Sequence, residues 1–180
     1  MKRILSRFRI LHHNEGNSLM ATRGRTFIIS AGAAVLFLAL APGSPAQERS
    51  HSGDFAFVTA ASEEMPLGGG HVLTRVVQSG MIFADDPASP IDRTATTCSG
   101  SMVMDASARA TVISGHCDGV DADGDVWTIW YGGDQDGGDW GYMGGTGKFE
   151  GIEGGGTFSA EVQWSDGRGI NSWEGTYTLR

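Results

Sequence analysis

Positive charge is scarce in most of this chain. Of its 13 Lys and Arg, only seven follow residue 46, where they face 20 of the 21 Asp and Glu, a balance of −13. Such a field repels nucleic acid and anionic lipid and favours cations, so neither a nucleic-acid partner nor a charged membrane surface is expected. Helical patterning is also missing. After residue 47 no stretch keeps apolar residues at i, i+3, i+4 and i+7 over eleven positions, and Ala60 to Met65 offers one helical turn at most. Cysteine is limited to Cys98 and Cys117. No Gly-Asp-Ser-Gly-Gly stretch is present to supply a protease nucleophile and its oxyanion turn.

Long apolar runs are absent but for one. Phe27 to Ala41 is a run of 15 apolar or small residues, with Arg23 and Arg25 before it and Ser44-Pro45-Ala46 after it. A basic start, an apolar middle and a small-residue exit form a secretion signal. The run is short of the roughly 20 residues a membrane span needs, which sets a signal above a retained anchor. Residues 1–46 are therefore expected to be a signal peptide, with Met20 as an alternative start. The chain is expected to be secreted or periplasmic, with no membrane partner after cleavage. Residues 47–53 are polar and expected to be disordered, leaving 54–180 as one domain.

An exported domain with two cysteines invites a disulfide. Thr96 to Met104 and Arg109 to His116 read as a hairpin around Asp105-Ala106-Ser107. A turn centred near Ser107–Ala108 brings Cys98 opposite Cys117, where Cα atoms lie about 4.5 Å apart. Two free thiols or a metal pair are the alternatives.

Short β-like runs fill the domain: 55–60, 71–78, 81–84, the cysteine hairpin, 126–131, 139–143, 148–152, 157–164 and 173–179. Eight or nine strands at close spacing suggest a barrel or sandwich. Residues 132–156 hold 12 Gly in 25, too many for helix and suited to tight turns. Trp140, Tyr142, Phe149 and Ile152 interrupt that stretch and give it anchors for a core, which a disordered linker lacks.

Within it, Gly144-Gly145-Thr146-Gly147-Lys148-Phe149-Glu150-Gly151 resembles the signature turn of the allene oxide cyclase and dirigent-like barrels, followed by a strand at Thr157 to Trp164. The likeness covers about residues 125–165. It implies an all-β fold, a single antiparallel, calycin-like barrel of about eight strands with a central cavity, which agrees with the strand count. The motif residues Gly144, Gly145, Thr146, Gly147, Phe149 and Gly151 are expected to be structural, the glycines allowing positive φ, Phe149 pointing inward and Lys148 outward. No catalytic residue of those families maps onto this chain, and fold alone does not confer function.

Three chemistries are weighed. His116 beside Cys117 resembles the strand that presents the histidine of trypsin-like proteases, but it has no serine or aspartate partner frame, so the bland reading is a strand-end residue. Asp121, Asp123 and Asp125 form a D-x-D-G-D loop within a tract of seven Asp from Asp118 to Asp139, free of Lys and Arg. Such a loop suits weak calcium binding, although Val126 and Gly132 stand where an EF-hand needs Gly and Glu, and a solvated turn competes. Calcium is the one cofactor considered. Trp127, Trp130, Trp140, Trp164 and Trp173 fill a barrel core or line a cavity for a small hydrophobic ligand, with Glu150, Glu153, Glu161 or Glu174 available as a pocket acid. The leading expectation is an exported barrel that binds a small apolar ligand or serves structurally. The runner-up is an isomerase or cyclase acting on such a molecule.

Overall fold

The computed structural model describes residues 47–180. The signal peptide expected over 1–46, with its alternative start at Met20, lies outside the described residues. Eight strands run β1 Arg49–Gly68, β2 His71–Ala84, β3 Ala95–Met104, β4 Ala110–Val120, β5 Val126–Asp134, β6 Gly137–Gly145, β7 Glu153–Gln163 and β8 Arg168–Thr178. Each pairs antiparallel with the next, and β8 returns to β1, from Arg49 opposite Tyr177 to Val58 opposite Arg168. The result is a closed barrel, the arrangement that removes free sheet edges.

Period-two alternation produces the inside and the outside. In β5, Trp127 is buried and Ile129 and Tyr131 face inward, while Trp130 points out and is 46% exposed. In β8, Trp173 and Tyr177 are buried and Asn171 lines the interior between the same faces. Phe55, Phe57, Ile82, Trp127, Trp140, Trp173 and Tyr177 form the core. Burying each such side chain contributes about 1.5–3 kcal/mol. Three of the five tryptophans are therefore interior, and Trp130 and Trp164 are not.

The two ends of the barrel differ. One end is closed by the β2–β3 loop, which inserts Ile91 and Thr94, and by the β6–β7 connection, which inserts Phe149 and Ile152. Thr94 Oγ1 donates to the Ile91 carbonyl at 2.9 Å and accepts the Trp127 Nε1–H at 3.3 Å, so the plug carries its own polar partners. The opposite end has only the short turns β3–β4, β5–β6 and β7–β8 and the β1–β2 hairpin tip.

Several local expectations need correction. Residues 47–53, expected to be disordered, include the start of β1: Arg49 to Gly53 pair with β8, and His51 and Gly53 are buried. Ala60 to Met65 is extended, not helical, because β2 supplies its ladder from Val77 to Leu73. Lys148 to Ile152, expected as a strand, contains a 3₁₀ turn at Gly147–Phe149 and no ladder. Its alternating pattern reflects a single pinned side chain, Phe149, which is fully buried.

The cysteine hairpin matches its expectation. Asp105 Oδ1 accepts the amide hydrogens of Ser107 and Arg109, and Ala108 takes the left-handed φ of 59° that the turn needs. This register sets Cys98 opposite Cys117 with Cα atoms 4.0 Å apart, and the two are bonded. The bond closes a loop of 19 residues' separation. A Cys98→Ala, Cys117→Ala double variant is expected to lose about 3 kcal/mol of stability, read as a lower urea midpoint.

Candidate functional site

The upper half of the barrel is hollow. A cavity of about 680 Å³ runs from the core to the end that carries the short turns. Its wall is mostly apolar, with Val76, Met102, Met104, Ile113, Ile129 and Phe158 on it. The Cys98–Cys117 bridge is part of the wall, and Trp127, Trp140 and Trp173 lie towards its closed side. Polar wall groups are few: Gln78, Thr96, Ser101, Tyr131, Tyr142 and Asn171. At the mouth stand Asp134, Gln135 and Asp136 of the β5–β6 turn and Gln163 of β7. Gln135 is tied across to β4, its amide donating to the Ala110 carbonyl at 3.1 Å. The mouth is thus framed by turns that the ladders hold in place. Burial raises the Tyr131 and Tyr142 hydroxyls above the ordinary phenol range, so both stay neutral donors across the physiological range.

His51 is the residue that sequence reasoning missed. It enters the interior from β1, is 6% exposed, and is ringed by Trp140, Tyr142, Trp173 and Tyr177 with centroid distances of 5.7, 6.2, 4.9 and 4.7 Å. Neither ring nitrogen has a hydrogen-bond partner. The His51 and Trp173 rings meet edge to face, at 77°. Burial lowers its pKa from 6.5 to about 4, so the ring is neutral near pH 7. The sequence offered one signal only, the parity that His51 shares with Phe55 and Phe57.

The acidic loop and the glycine motif meet. Asp121 Oδ1 accepts the amides of Asp123 and Asp125 at 2.8 and 2.9 Å. Asp121 Oδ2 sits 2.5 Å from Lys148 Nζ, and Asp125 Oδ2 accepts the Lys148 amide at 3.0 Å. The Lys148 ammonium, with help from the Asp125 and Asp123 amides, holds the Asp121 carboxyl below the usual carboxylate range. Asp123 stays exposed. Among the described residues no group of three or more His, Cys, Asp or Glu is arranged to hold a metal ion. Thr146 completes the join, its Oγ1 accepting the Val126 amide at 2.9 Å while its own amide donates to the Val126 carbonyl at 2.7 Å. The motif thus anchors β5 and the β4–β5 turn to the connection between β6 and β7. Gly144, Gly147 and Gly151 have positive φ of 145, 54 and 71°. Gly145 does not; it is small because a Cβ there would lie 2.5 Å from Phe149 Cβ and 2.6 Å from the Val126 carbonyl oxygen.

The remaining candidates scatter. His116 faces outward on β4 between Ser99 and Trp130 and is exposed, a plain strand residue. Glu150 and Glu174 are exposed, and Glu153 pairs with Arg180. Glu161, at the rim, accepts from Ser159 and Ser172 at 3.3 and 2.7 Å.

No family model matches the chain, and no curated protein matches it. Among solved structures, 12 chains match. One is the pterocarpan synthase dirigent protein GePTS1, at 12% identity and a TM-score of 0.47, over 74% of this chain and 87% of that one. Another is the pterocarpan synthase dirigent protein PsPTS1, at 9% identity and 0.44, over 74% and 96%. Both are dirigent proteins, and neither bears on the cyclase half of the sequence resemblance. The barrel itself rests on the strand pairing above, and likeness this distant says nothing of what the cavity holds.

Two outcomes are expected from this geometry. Well above pH 6.5, His51 is neutral folded and unfolded and adds no pH dependence. Between about 6.5 and 4 the unfolded chain binds a proton that the native state refuses, so stability falls as pH falls, by at most about 1.4 kcal/mol per unit. His51→Phe should flatten that slope in urea titrations run across the interval; a slope unchanged by the substitution would show that other groups carry it. Gly145→Ala should cost about 1–3 kcal/mol through overpacking against Phe149, read as a lower melting temperature.

Proposed function

We propose that this protein is an exported binding barrel that holds one small apolar molecule in the open half of its interior. The observation that carries the reading is the cavity of about 680 Å³, apolar-walled and open at one end. That volume falls in the range of small-molecule sites, roughly 300–1,000 Å³, as does a wall of hydrophobic side chains with a few polar groups. Methionines 102 and 104 add an adaptable surface, since an unbranched thioether reshapes around different ligands at low cost. Export is supported by the apolar run at 27–41 and by a cysteine pair seated for an oxidising compartment.

The runner-up, an isomerase or cyclase, calls for an acid projecting into the cavity. Of the four glutamates considered for that role, Glu150, Glu153 and Glu174 lie outside the cavity wall, and Glu161, at its rim, is engaged by the Ser159 and Ser172 hydroxyls. Binding is therefore the reading the interior supports best. Calcium at Asp121, Asp123 and Asp125 would have to displace the Lys148 ammonium, which gives that idea less support than the cavity gives binding.

N-phenyl-1-naphthylamine, a neutral dye that brightens in apolar surroundings, tests the proposal. Binding is expected with quenching of Trp127, Trp140 and Trp173 emission. Met102→Trp should fill the cavity and weaken binding at least about tenfold, which is roughly 1.4 kcal/mol. Val112→Trp, on the outer face of β4, should leave it unchanged. No binding at roughly 100 μM dye, or equal binding by both variants, would overturn the reading.

A further inference from the structure

Among the described residues, the charged groups around the cavity are all of one sign, and no Lys or Arg lines it. From β5 and its turn come Asp134 and Asp136, and from β7 comes Glu161. Arg109, which pairs with Asp136 at the mouth, stands outside the lining. Asp134 is used only to accept the Asp136 amide, at 2.9 Å. At the closed side, His51 is buried among aromatic rings, with no cation beside it among the described residues of the cavity wall. Residues 47–180 as a whole carry a balance of −13.

The wall offers neutral hydrogen-bonding groups instead: Gln78, Ser101 and Asn171 supply amides and a hydroxyl, donors and acceptors both. None is a cation able to offset a buried anion, and an unpaired charge in an apolar site is far costlier than a neutral dipole.

The geometry points to a ligand that is uncharged at its buried end, carrying a hydrogen-bond donor and acceptor on an apolar body, and to the exclusion of carboxylates, sulfonates and phosphates from this cavity. This inference rests on the binding reading above and narrows it. It gives Asp134, Asp136 and Glu161 a part: a negatively charged mouth that repels anions before they enter.

A matched pair of dyes tests it. N-phenyl-1-naphthylamine and 8-anilinonaphthalene-1-sulfonate share one skeleton and differ in the sulfonate. Fluorescence titration of the purified protein with each, at low and at 0.5 M salt, should show the neutral dye binding at least about tenfold more tightly at low salt. The gap should narrow at high salt as the mouth is screened. Asp134→Lys, at an exposed turn end, should narrow it further by favouring the sulfonate. Equal affinities, or a preference for the sulfonate, would overturn the exclusion of anions while leaving the binding cavity intact. Failure of both dyes to bind would overturn the cavity reading and this inference with it.

Discussion

The pairing of β1 with β8 is the constraint on which the rest of the molecule depends. Those strands are the furthest apart in sequence, and their ladder, from Arg49–Tyr177 to Val58–Arg168, turns a meander of hairpins into a closed wall. Without it the sheet would keep two edges, and the inward side chains of β1 and β8 would face water. His51, Phe55, Trp173 and Tyr177 are all delivered to the interior by those two strands. The histidine's aromatic surroundings therefore exist only because the first and last strands meet. Long-range closure of this kind is slow to form, since loop entropy opposes it before contacts reward it.

The parts legible in the sequence are those fixed by local geometry. Val126 to Tyr131 was legible as a strand, and a period of two puts Trp127 and Trp130 on opposite faces, although the sequence alone set both tryptophans in the interior. The Cys98–Cys117 register followed from turn chemistry, as Asp105 caps its own hairpin. The glycines at 144, 145 and 147 marked a connection between two strands, and β6 and β7 are joined there. Long-range relations stayed hidden. Arg49-Ser50-His51-Ser52 has little β character of its own, so only the ladder from β8 makes it a strand. The alternation over Lys148 to Ile152 could not be told from a turn in which one side chain is buried and its neighbours are not. Nor does parity say whether inward side chains fill the space they face, so a cavity was expected only from the resemblance and as an alternative to a filled core.

The acidic loop shows the same division. Seven Asp without a cation in the tract implied repulsion that something must relieve. The relief comes partly from main-chain amides within the loop and partly from Lys148, which belongs to another connection. A charge count along the chain cannot see a partner supplied across the barrel end. Joined in this way, two stretches that seemed to carry separate meanings, one for fold and one for metal, form one piece of architecture.

That architecture separates stability from recognition. The closed end is built from large, well-fitted groups, Phe149, Ile152, Ile91 and Trp127, in contact with backbone and with one another. The open half is lined by Val76, Gln78, Met102, Met104 and Ala160, smaller or more flexible side chains beside an empty volume. Removing a methylene from a close-packed core leaves a new void with its full cost, whereas a wall already facing a void loses fewer contacts. Substitution in the open half therefore alters the shape of the cavity at lower cost to the fold than substitution at the plug. A barrel arranged in this way can change what it binds while its closed end goes on holding the strands together.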